Sequence, residues 1–193
     1  TSSSSETNTS PSKGNTSTTN TSVGGNNTNN TPVTGNFVDL APGKRAEQSS
    51  TEGNEQKQDV ANFAIDGNSN TFASTKWWQG EHWWQIDLGN RYDIAKINTL
   101  ISYDAQLKDD YIIIFSDTPF PKINLLLSAA ALSDYAVKAV EVKAGANPNI
   151  KIEFSELVTA RYIRIQRLGG NEGMRTRKVE VMGKPQPSTQ GLL

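Results

Sequence analysis

Across residues 83 to 182 apolar and polar positions alternate with the two-residue period of a strand that buries one face. In the stretch from Trp83 to Leu88, Trp84, Ile86 and Leu88 point one way, and Trp83, Gln85 and Asp87 point the other. Residues 94–102, 111–116, 150–154, 160–166 and 178–182 read as further strands, separated by turn signals at Gly89-Asn90, Asp117-Thr118-Pro119 and Gly169-Gly170. Only Leu125 to Tyr135 reads as a short helix. Such a succession predicts an all-β fold, an antiparallel β-sandwich.

The connectivity places one edge of that sandwich. The strand at 83–88 runs away from a Trp/His-rich loop, the turn at 89–93 reverses it, and the strand at 94–101 returns to the starting end. Loops 76–83 and 102–110 are therefore expected to share an edge, where binding residues concentrate on a rigid sandwich. The stretch 77–84 holds all four tryptophans and the only histidine.

Composition divides the chain. Residues 1–35 are nearly all Ser, Thr, Asn and Gly, too poor in apolar surface to offset the entropy of ordering, and read as a flexible linker. The Pro-containing tail 185–193 reads as linker again, leaving 36–184 as the folded module. A net charge of −1 supplies no field for gathering nucleic acid or anionic lipid. The absence of cysteine excludes disulfides, thiolate nucleophiles and Cys-based zinc sites. With neither an initiating Met nor a signal-peptide pattern, the chain reads as an excised piece of a secreted, bacterial protein.

The segments 41–50 (APGKRAEQSS), 64–68 (AIDGN), 83–89 (WWQIDLG), 116–120 (SDTPF), 160–166 (ARYIRIQ) and 179–183 (VEVMG) resemble the discoidin-like, coagulation-factor type C, galactose-binding superfamily. The resemblance covers 36–184. Within it, GKRAEQSS and SDTPF look most like F-type, fucose-binding lectins, and 66–77 looks like carbohydrate-binding modules of the same fold. It implies an eight-stranded jelly roll serving as a lectin, a sugar-binding module of a secreted enzyme, or an adhesion domain. The lectin motif of a His and two Arg is not reproduced: the matching stretch reads Ser102-Tyr103-Asp104, and only Asp104 agrees. The family's adjacent cysteine pair is also missing, so fucose is not carried over as the ligand.

Residues Asp66 to Thr71, followed by Thr75, offer carboxylate, amide, hydroxyl and carbonyl oxygens around a Gly-containing turn, the hard-oxygen set Ca²⁺ prefers. The alternative is a turn held by its own Asx and hydroxyl hydrogen bonds. The resemblance implies a structural Ca²⁺ held by Asp66, Asn68, Thr71, Thr75 and a last-strand Glu. Lys178 stands where that Glu is usual, so either Glu180 substitutes or the Lys ammonium replaces the cation.

For the glycan, Trp77 and Trp78 precede the strand, one expected exposed and the other capping the core. A flat indole suits the apolar face of a pyranose while its N–H serves a hydroxyl. His82 is a further candidate, with Tyr103, Asp104, Gln106 and Lys108 on the facing loop and Asn171, Met174, Arg175 and Arg177 on a third. Lys76, Lys108, Arg175 and Arg177 would together suit a sulfated or uronic-acid polymer. No carboxylate pair or nucleophile elbow points to catalysis. The sequence thus predicts a non-catalytic carbohydrate-binding module. Its expected partners are a polysaccharide or glycan and the catalytic domain of the same parent chain, with no nucleic acid and no membrane, and it is expected to be a monomer. The alternative readings are an adhesion module, with Met174 and the Trp77–Trp78 pair as apolar spikes, and a free lectin.

Overall fold

The structure is a computed structural model, and it describes residues 21–22, 31–53, 60–77, 80–101, 106–121 and 134–186. Among these the chain is all-β. In order come β1 (Thr21–Ser22), β2 (Val38–Asp39), β3 (Arg45–Gln48), β4 (Ala73–Ser74), β5 (Trp83–Ile101), β6 (Asp110–Ser116), β7 (Lys138–Val142), β8 (Asn149–Leu168) and β9 (Arg175–Pro185), with one 3-10 turn at Val60–Ala64. The helix expected over 125–135 falls mostly outside the described residues.

The expected pair of strands at 83–88 and 94–101 is one continuous strand rather than a hairpin. Its halves do not pair with each other; both pair with β8, which runs antiparallel along the whole of β5. At the far end Asp87 faces Tyr162 while Tyr92 faces Ala160, so the ladder slips there and the paired strands turn a corner. Gly89 takes φ +83° at that corner, and its N–H donates to Asp87 Oδ1. The chain still returns to its starting end, because Trp83 opposes Gln166, Leu100 opposes Lys178, and the loop between them joins β8 to β9.

The ladder runs β1-β7-β6-β8-β5-β9-β2, with β3 added to the first half of β5 and β4 to β9. Folding at the corner encloses one core. Trp84, Ile86 and Leu88 enter it from the first half of β5, and Ile94, Ile97 and Ile101 from the second. The switch from even to odd positions coincides with a register shift between Ile94 and Lys96, as one extra residue in a ladder requires. Phe115 of β6 meets Phe154 of β8 edge-on across the core, centroids 5.3 Å apart.

Strand β6 departs from the one-sided pattern, since Tyr111 through Ser116 are all buried. Its odd positions enter the main core, while Ile112 and Ile114 pack outward with Phe120 and half-buried Tyr135, Ala139 and Tyr162. The outer face of this sheet is therefore covered. The tract expected to be linker meets the sandwich at two points: Thr21–Ser22 pairs in parallel with Val140–Glu141, and the Val33 N–H donates to Phe154 O.

Candidate functional site

The loops expected at one edge do meet there, through the end of β8 and the start of β9. Thr75 ties them together. Its N–H donates to Met174 O (2.9 Å), its hydroxyl accepts the Met174 N–H (2.7 Å), and the same hydroxyl lies 2.8 Å from His82 Nδ1. The Arg167 N–H donates to His82 O, and the Arg167 side chain binds Asp109 (Nε to Oδ2, 2.8 Å) and Glu172 O. Segments 75–77, 80–82, 106–110 and 167–175 are thus one assembly.

On this assembly Trp77 is 41% exposed, the only tryptophan so among the described residues. A Cβ at Gly173 would lie 2.3 Å from Thr75 O and 3.3 Å from Trp77 Cδ1, so glycine there lets the 169–174 loop close beneath the indole. At the start of β9 Arg175 lies over the Phe72 ring (5.7 Å) and 3.9 Å from Glu52 Oε2. Lys108 pairs with Glu172 at 3.3 Å, and Arg177 donates to Ser69 O at 2.9 Å. The cations at this edge are therefore engaged with carboxylates and carbonyls.

His82 is not displayed on its loop: it is 1% exposed, with Nε2 buried and unpartnered among the described residues. Burial and the nearby Arg167 charge push its pKa below the ordinary histidine value, against the opposing pull of Asp109. A depressed folded-state pKa means that neutral His82 contributes stability above pH ~6.5, the unfolded value, which is lost as pH falls through the folded pKa. Melting temperature is expected to drop on acidification below about pH 6.5, and His82→Gln should flatten that part of the profile. A profile unchanged by the substitution would remove His82 as its cause.

The other anticipated residues scatter. Asn171 and Lys108 are exposed at the edge, Arg175 is half-buried, and Trp78, Tyr103 and Asp104 lie outside the described residues. Met174 is buried (1% exposed) and is no apolar spike; its alternation-breaking loop position hid this. Trp83, of unassigned role in the sequence, is buried against the Arg164 guanidinium at 4.4 Å. Arg167, Asp109 and Gly173 were not anticipated. Arg167 continues the core phase of Ile163 and Ile165, the one signal that would have pointed it inward.

For the metal, Asp66, Asn68 and Thr71 do converge. The Thr71 hydroxyl lies 2.8 Å from both Asp66 Oδ2 and Asn68 O, and 3.3 Å from Phe63 O. One hydroxyl proton faces three acceptors, so the oxygens suit a hard cation. Thr75 and Glu180 are committed elsewhere. Thr75 serves His82 and Met174, while Glu180 binds Lys178 (2.7 Å) and Asn98 (3.2 Å), which together hold its carboxyl below the usual carboxylate range.

Residues 63–165, just over half of the chain, match the model of the NedA-like, galactose-binding domain family of the F5/F8 type C group. A search of curated protein sequences returned no match. Among solved structures, a fucose binding module of Streptococcus pneumoniae superposes with TM-score 0.57 at 22% identity, covering 75% of this chain and 96% of its own. The fucolectin of striped bass (Morone saxatilis) serum gives TM-score 0.59 at 23% identity over 80% of this chain, which spans about half (52%) of that lectin. A chitosan-binding module from a Paenibacillus chitosanase/glucanase gives 0.54 at 22%, over 77% of this chain and all of its own.

Proposed function

The chain belongs to the NedA-like, galactose-binding domain family of the F5/F8 type C group, and from that premise we propose that it is a non-catalytic module that binds a glycan at the loop edge. The carrying observation is the exposed Trp77 ring packed against Gly173, at the loop edge that also carries exposed Asn171 and the Arg175–Glu52 pair. An indole face covers apolar sugar C–H groups, while the neighbouring polar groups meet ring hydroxyls in both donor and acceptor senses. The Ser/Thr/Asn-rich N-terminal tract serves as tether to a secreted catalytic partner and raises the local substrate concentration for it. Solved structures of similar fold include modules that bind fucose and chitosan, and both sugars belong on the first panel. A glycan array with and without Ca²⁺ tests the reading: selective glycan binding without turnover supports it, and liposome binding that equals or exceeds glycan binding sinks it.

The engaged cations favour a neutral glycan over the sulfated or uronic polymer that the sequence made attractive. Affinity is expected to survive ~1 M salt, where the Debye length is about 3 Å. A loss of tenfold or more between 50 mM and 1 M NaCl, roughly 1.4 kcal/mol, would restore the anionic polymer.

We propose further that Asp66, Asn68 and Thr71, with Phe63 O, form a structural Ca²⁺ cradle. The ion would cross-link the turn that follows the 3-10 segment. At free Ca²⁺ about 100-fold above Kd, binding to the native state alone adds about 2.7 kcal/mol, or roughly 5–11 °C in Tm for a domain of this size. EDTA that leaves Tm unmoved, together with no calcium by elemental analysis, would leave the self-bonded turn as the account.

A further inference from the structure

We propose that the outer face of the β3–β5–β8 sheet carries a second sugar site, a cavity about one pyranose wide walled by Glu47, Gln85, Asp87, Phe120 and Tyr162. The cavity holds about 170 Å³. Gln85 and Asp87 lie three and five residues along β5 from His82, some 10–17 Å from the loop edge at about 3.3 Å per residue. They point away from the core residues Trp84, Ile86 and Leu88.

Its chemistry is that of a neutral polyhydroxylated ring. Phe120 and Tyr162 supply apolar faces for C–H groups. Charges come only in closed pairs: Arg45 Nη2 meets Glu47 Oε1 at 2.8 Å, and Arg161 grips Asp87 bidentately at 2.7 and 2.9 Å. Such pairs keep lone pairs for hydroxyl donors while offering no net charge to an ion. A free anion or cation therefore gains little here, and a sugar hydroxyl can be satisfied.

The wall is fixed from behind by an unusual residue. Arg164 is fully buried, with its guanidinium stacked between Trp83 (4.4 Å) and Phe120 (4.7 Å). Its Nε and Nη2 both donate to Gln85 Oε1 (3.1 and 2.8 Å), and Nη2 also donates to Pro121 O (3.0 Å). Gln85 Nε2 passes the constraint on to Glu47 Oε2 at 3.2 Å. Desolvation lowers the Arg164 pKa to about 10, and Nη1 is buried with no hydrogen-bond partner among the described residues. No carboxylate reaches this guanidinium by a hydrogen bond among the described residues. Its charge is balanced by the buried carboxylate of Glu81, which opposes the desolvation of the guanidinium. What the arginine achieves is to lock Phe120, Gln85 and Glu47 into one rigid wall, which makes it a positioning residue.

The test is a ¹⁵N–¹H NMR titration of the whole chain with D-galactose, L-fucose, N-acetyl-D-glucosamine and D-glucosamine in turn. At least one sugar should shift the amides of Glu47, Gln85, Phe120 and Tyr162 in a saturable way, and should do so equally in Trp77→Ala protein. The edge amides of Trp77, His82 and Asn171 report the loop site separately, so either site can fail alone. Tyr162→Ala, a half-buried position, should weaken the outer-face response roughly tenfold by removing one ring face. Arg164→Lys, which keeps a cation facing buried Glu81 but loses the fork to Gln85 Oε1, should weaken the outer-face response while leaving the edge-amide response at its parental level, a split that a merely structural arginine would not give. Outer-face amides that stay silent with all four sugars, or an outer-face response unchanged in folded Tyr162→Ala, would overturn the proposal.

Discussion

Trp84→Ala should lower the stability of the chain by about 3–5 kcal/mol, the cost of emptying a buried aromatic site. Trp84 is fully buried among core residues from both halves of the sandwich. Its indole N–H also donates to Ala61 O at 2.8 Å and so pins the 3-10 turn to β5. Truncation opens a cavity and strands that carbonyl in an apolar setting, two costs of the same sign. For a domain of this size the drop corresponds to roughly 6–20 °C in Tm, readable by calorimetry or circular dichroism. A loss under about 1 kcal/mol would mean that the turn at Val60–Ala64 collapses into the cavity and that the core is less closely packed than its burial indicates.

Trp84 was legible in the sequence because strand phase alone decides it, alongside Ile86 and Leu88. The same rule left Trp83 undecided one residue earlier and said nothing of Arg164 on β8. Trp83 and Arg164 occupy the outer face of the sheet, yet both are buried, because Phe120 and the turn after β6 fold back over the sheet. Periodicity reports which side of a strand a residue is on; it does not report whether that side is covered. The run Tyr111 to Ser116 held the needed signal, since a strand with apolar residues at consecutive positions must be buried twice.

The loop edge was legible as a place and much less so as a set of side chains. That loops 76–83 and 102–110 meet follows from the return of β5, although the return is a corner in a continuous strand rather than a hairpin turn. His82 looked like a displayed ligand because its neighbours Gln79, Gly80 and Glu81 read as a loop. Its burial depends on Thr75 and Met174, 7 and 92 residues away, and no local pattern encodes that contact. The calcium set divides between local and distant residues. Asp66, Asn68 and Thr71 are local and converge, whereas Thr75 and Glu180 were joined to them by resemblance and are hydrogen-bonded elsewhere.

Trp77→Ala should separate binding from folding. With 41% of the residue exposed, its ring contributes little to the core, and Tm should move by no more than about 2 °C, the shift that ~0.5 kcal/mol produces. The loop is closed by the hydrogen bonds between Thr75 and Met174, so it retains its closure without the indole. If a pyranose stacks on that ring, the apolar burial lost is worth about 1.5–3 kcal/mol, which weakens binding by roughly 10- to 100-fold. Isothermal titration with the best glycan from the array gives the affinity, and a thermal melt of the same sample gives the fold. Gly173→Ala is the companion variant: a Cβ cannot sit 2.3 Å from Thr75 O, so the loop must move and carry Trp77 with it. It should weaken binding without touching any sugar-facing atom. If both proteins keep parental affinity, the glycan is held on another surface, and Trp77 is a loop residue with no part in recognition.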